Sequence, residues 1–97
     1  MSPLFQSAEN VVHDRLDLYD LITLHPNATF YFKYEGFDLS EYFINKNDVL
    51  VIDRSVSPKV GNIVLVNLDG EFVLQKFSAH ENAEIWGVVC YVVHKLI

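Results

Sequence analysis

Ile63-Val64-Leu65-Val66-Asn67-Leu68, Asp69-Gly70 and Glu71-Phe72-Val73-Leu74-Gln75-Lys76-Phe77 follow one another without interruption. Asp-Gly between two apolar runs is the signature of a two-residue hairpin turn, because both turn residues must accept positive φ. A lone hairpin is marginal in water, so this one demands further strands to pack with. The chain supplies them. Thr29-Phe30-Tyr31-Phe32-Lys33-Tyr34 has β-branched and aromatic strand composition. Val49-Leu50-Val51-Ile52-Asp53 is a continuous apolar run of the kind buried on both faces. Ile85 to Ile97 predicts a last long strand region, with Gly87 marking a bulge. Ahead of the strands, Leu18, Leu21 and Ile22 show the i, i+3, i+4 spacing of a helical face, Asp17 is suited to cap it, and Pro26 ends it. Such a short helix is unstable alone and must pack on the strands.

These elements predict a mostly-β single domain over residues 14–97, preceded by a flexible arm over residues 1–13. A length of 97 residues supports one core. No apolar run approaches the ~18 residues of a membrane helix, and the N-terminus lacks the basic and apolar regions of an export signal. The expected location is therefore cytoplasmic. The single Cys90 cannot form an internal disulfide, and its place in the apolar run Val88–Val93 reads as packing. A net charge of −6, with Lys and Arg scattered singly, disfavours direct nucleic-acid binding. His13, His25, His80 and His94 match no zinc spacing, and Glu35, Asp38 and Glu41 form no cation loop of known spacing. No metal or other cofactor is expected.

The ordered set His25-Pro26-Asn27-Ala28-Thr29-Phe30-Tyr31-Phe32, Val49–Asp53, Gly61-Asn62-Ile63-Val64, Asp69-Gly70-Glu71-Phe72 and Gly87-Val88-Val89 resembles the LexA/UmuD peptidase family over about residues 10–97. The resemblance implies that family's β-rich fold. It also implies a Ser–Lys dyad, in which a Ser two residues after a Gly is activated by a Lys on a later strand. Here Asp38 follows Gly36 at the serine position and Gln75 stands at the lysine position. A carboxylate is not activated by deprotonation, and Gln has no titratable nitrogen, so the dyad positions are degenerate and no peptidase activity is expected. A shifted Ser40/Lys76 pair is the alternative. Adjacent strand residues point to opposite faces, so Lys76 would point away from the side taken by Gln75 unless a bulge intervenes.

Two departures qualify the resemblance. No Ala-Gly or Cys-Gly cleavage pair occurs in the chain, and its start resembles UmuD's shortened, processed form. The Ser78–Glu84 connection is also shorter than the family's, which predicts loss of one strand pair. The resemblance then implies a dimeric, non-catalytic accessory subunit of an error-prone translesion DNA polymerase in the SOS response to DNA damage. A regulatory decoy pairing with a LexA or UmuD homologue is the alternative of another class. Self-association would use the C-terminal strand, through Val89, Tyr91, Val93 and Lys95, because an apolar terminal strand with a free edge is a pairing template.

Overall fold

The computed structural model describes residues 14–80 and 82–97. The arm assigned to residues 1–13 lies outside the described residues. The helix α1, Leu18–Ile22, is capped by Asp17, whose carboxylate accepts the Asp20 N–H at 3.3 Å. A 3-10 turn at Pro26–Ala28 leads into β1, Thr29–Lys33. Then come β2, Val49–Asp53, β3, Ile63–Leu68, β4, Glu71–Lys76, and β5, Glu84–Val93. Strand positions thus follow the sequence reading closely, except that the last strand stops at Val93 and leaves Lys95 outside it. Asp69 and Gly70 both have positive φ, 53° and 88°, as the β3–β4 hairpin requires.

All pairings are antiparallel, in the order β1-β2-β5-β3-β4. The C-terminal strand is therefore central in the sheet, whereas its reading as a terminal strand with a free edge places it at the rim. Its coverage is split. β3 pairs with β5 from Glu84 to Val88, and β2 pairs with it from Val88 to Val93. Beyond Val88 the edge facing away from β2 has no ladder partner among the described residues.

Two register shifts break the alternation of β5. Between Leu65 and Val66 the partner skips from Gly87 to Ile85, and between Val51 and Ile52 it skips from Tyr91 to Val89. The extra residues are Trp86 and Cys90, so the bulge expected at Gly87 falls one residue earlier. Gly87 beside it has a steric reason: an added Cβ would lie 2.5 Å from Ile52 Cγ2. Cys90 is exposed, which corrects its reading as core packing: the bulge takes it out of the inward-facing series.

The sheet buries both faces. On one, Leu50, Ile52 and Leu65 join Ile44, with Leu74, Trp86, Val89 and Val92 around them. On the other, Val64, Val66 and Val88 pack with Val73, Phe77 and Ile85. β2 is enclosed from both sides, with Leu50, Val51, Ile52 and Asp53 all buried, as its continuous apolar run predicts. α1 lies over the second face, where Leu18 and Ile22 line a shallow depression with Tyr31, Val49 and Val93. Thr23 Oγ1 and the Tyr31 hydroxyl join the helix end to β1 by a hydrogen bond. No helix among the described residues is long and apolar enough to cross a membrane.

Candidate functional site

The first sheet face carries a cleft of about 520 Å³. Its floor is Leu50, Ile52 and Leu65, one wall is Phe72 and Leu74 of β4, and the other is the segment from Phe32 to Leu39. Sequence dictates that second wall. The Tyr34 ring covers Gly36, whose missing Cβ leaves it room, and the Tyr34 hydroxyl donates to the Phe37 carbonyl at 2.7 Å. Burial, then the charges of Asp38 and Glu41, pushes the Tyr34 hydroxyl up, so it stays a donor at neutral pH. The next turn closes through Leu39 and Ile44, which bond each other's backbones at 2.7 and 3.1 Å. Trp86 stands beside the cleft with Phe30, Phe32 and Phe72 edge-on at 5.2 to 5.8 Å, and the Arg54 guanidinium lies 4.3 Å over its ring.

Asp38 lies at this lip between Phe37 and Leu39, exposed, with Oδ1 accepting the Lys46 backbone N–H at 2.8 Å. It is a loop-bracing carboxylate. Gln75 pairs with Val64 and so shares the face of Val66 and Val73. The segment holding Tyr34, Leu39, Tyr42 and Ile44 packs on the opposite face, with Leu65 and Leu74. Alternation therefore sends Lys76, paired with Ile63, rather than Gln75, to the face that this segment covers. This corrects the side assumed for Gln75. Ser40 opens the 3-10 turn Ser40–Tyr42. Both Ser40 and Lys76 are exposed, and they share no hydrogen bond. A dyad needs its Lys desolvated, and the Lys76 side chain is exposed to water.

Sequence reasoning missed two buried carboxylates at the ends of β2. Asp48 accepts the Asn45 N–H at 2.8 Å and lies 2.6 Å from His94 Nδ1. Asp53 accepts from the Ser55 hydroxyl at 2.6 Å and from the Ser55 N–H, and lies 2.6 Å from His25 Nδ1. Burial pushes both carboxyls up, but these hydrogen bonds and the histidines' charges outweigh it and hold both below the ordinary carboxylate value. His25, Asp53 and Ser55 have the composition of a hydrolytic triad without its order. The serine proton goes to the carboxylate, whereas a nucleophile must give it to the imidazole. Cys90 is no stronger a candidate, since burial and then the charge of Asp53 push its thiol up and keep it protonated. Among the described residues no three His, Cys, Asp or Glu side chains converge as a metal site.

Val89, Tyr91, Val93 and Lys95 do not form one stripe. Val89 packs against the first face, while Tyr91 and Val93 pair with Val51 and Val49 on the second. The bulge at Cys90 causes the change of side.

The sequence model of peptidase S24-like proteins matches residues 3–87. The chain belongs to the peptidase S24-like family. This agrees with the LexA/UmuD resemblance and with the antiparallel fold. Among its relatives is the protein ImpA of Escherichia coli, 28% identical over 107 residues, covering 91% of this chain and 74% of ImpA. The protein SamA of Salmonella typhimurium is 27% identical over 105 residues, covering 91% of this chain and 75% of SamA. The protein MucA of Escherichia coli is 30% identical over 69 residues, covering 71% of this chain and 47% of MucA. The alignment with ImpA is longer than the 97-residue chain while taking in 91% of it, so ImpA has internal residues that this chain lacks. The sequence reading assigns that shortfall to the 78–84 connection, where no strand lies between β4 and β5 among the described residues.

Proposed function

We propose that this chain is a non-catalytic, UmuD-like protein of the bacterial SOS response, acting in the cytoplasm as a dimeric accessory subunit of an error-prone translesion DNA polymerase. The reading is supported by an apolar cleft in a family fold whose expected dyad positions are not brought together beside it. Asp38 at the lip is a backbone acceptor, Gln75 lies on the opposite sheet face, and Ser40 and Lys76 are both solvated. What remains of the fold is a scaffold for protein contacts. The dimer uses β5, whose Val89–Val93 stretch has one edge without a ladder partner among the described residues, with Tyr91 and Val93 partly exposed beside it. A two-fold pairing of that edge with its copy satisfies backbone groups otherwise left to water.

Affinity capture of the tagged protein from DNA-damaged host cells tests the reading. Recovery of a translesion polymerase catalytic subunit is the expected result. Recovery of a LexA or UmuD homologue alone would instead favour the decoy reading, and recovery of neither would remove both.

A further inference from the structure

The last rung between β2 and β5 pairs Val49 with Val93. Asp48 and His94 occupy the next register position, where β5 has ended as a strand. A side-chain contact continues the ladder there: His94 Nδ1 lies 2.6 Å from Asp48 Oδ1. The Asp48 side chain is 2% exposed and that of His94 45%. The other Asp48 oxygen already accepts the Asn45 N–H. A buried carboxylate is costly unless its oxygens are bonded, so His94 supplies a partner that Asp48 needs.

The segment so fastened is the one that most requires it. β3 covers β5 only as far as Val88, so among the described residues Val89–Val93 has ladder partners along one edge. A strand end held on one side opens locally at low cost. An edge that frays must be straightened before a second strand can add to it, and that ordering is subtracted from the binding free energy.

We propose that the Asp48–His94 pair is a latch that preorganises the open edge of β5 for pairing with a second copy of this chain. The proposal rests on the β5 dimer reading above. His94 is a positioning residue: it contacts Asp48, and acts on the interface through the backbone of Val92 and Val93. In an antiparallel two-fold pairing, each copy's latch closes one end of the shared ladder.

Sedimentation of the full chain over a concentration series tests this, with amide exchange at Val92 and Val93 read in parallel. His94→Ala is expected to weaken self-association by about tenfold, the scale of one lost charge-assisted hydrogen bond, and to speed exchange at both amides. His94→Asn, whose Nδ2 stands near the place of the imidazole Nδ1, is expected to recover most of both losses. If His94→Ala does not fold, His94→Leu keeps the bulk without the donor and makes the same comparison. A donor-less variant dimerising as tightly as the natural chain would overturn the latch and leave the β5 reading standing. A monomeric natural chain, or a dimer unaffected by Tyr91→Glu, would overturn the β5 reading and the latch with it.

Discussion

Asp48 and Asp53 are the buried charged side chains among the described residues, and they sit at the two ends of the most enclosed strand. Each joins β2 to a segment distant in sequence, Asp53 to His25 ahead of β1 and Asp48 to His94 after β5. Both carboxyls lie below their ordinary value of 3.8 when folded. The unfolded chain therefore takes up protons first as pH falls. The stability these groups contribute is complete above the unfolded value and is lost as pH drops through the folded ones. Thermal unfolding followed from pH 7 to pH 3 should show a steep acid limb. Asp48→Asn should flatten that limb and cost about 1–3 kcal/mol at neutral pH, the scale of a disturbed buried hydrogen-bonded group. Neither pair was legible in the sequence, because partners 28 and 46 residues apart meet only through the sheet order. The lip was legible in part: the segment around Gly36 and Asp38 that the sequence singles out walls the cleft, whereas the face of Gln75 depended on a register that no residue pattern discloses.

Strand composition made the elements readable, since β-branched and aromatic runs bounded by Asp-Gly and Pro-containing turns have few alternatives. The spatial order was not readable. Nothing local to β5 says that it lies between β2 and β3, or that each neighbour covers only half of it. Gly87 marked one bulge of β5 to within a residue, but the bulge at Cys90 was hidden because Val88 to Val93 is apolar throughout, and a continuous run has no period to break. Those bulges decide which side chains meet, taking Cys90 outward and separating Val89 from Tyr91 and Val93. Gly87 belongs to the same device, because Ile52 fills the space beside it. Gly87→Ala should overpack the core and lower stability by about 1–3 kcal/mol, read as a lower urea midpoint. An unchanged midpoint would mean that β2 and β5 are not held together this closely.

Across the whole molecule, the family's antiparallel fold is fastened by its own carboxylates. Asp38 braces a loop, and the β2 carboxylates fasten the helix–strand junction and the C-terminal segment. An open apolar cleft, ringed by Trp86 and its phenylalanines, stands at one face, and the β5 edge beyond Val88 has no ladder partner among the described residues. Such a molecule is suited to binding, and membership of the S24-like family together with likeness to ImpA, SamA and MucA supplies the setting. The most direct measurement is calorimetric titration of the purified protein into a translesion polymerase catalytic subunit, with intact mass recorded before and after. Expected is saturable binding of a dimer of this chain with its mass unchanged. Absence of binding, or the appearance of new peptide ends that Ser40→Ala abolishes, would contradict the non-catalytic accessory role.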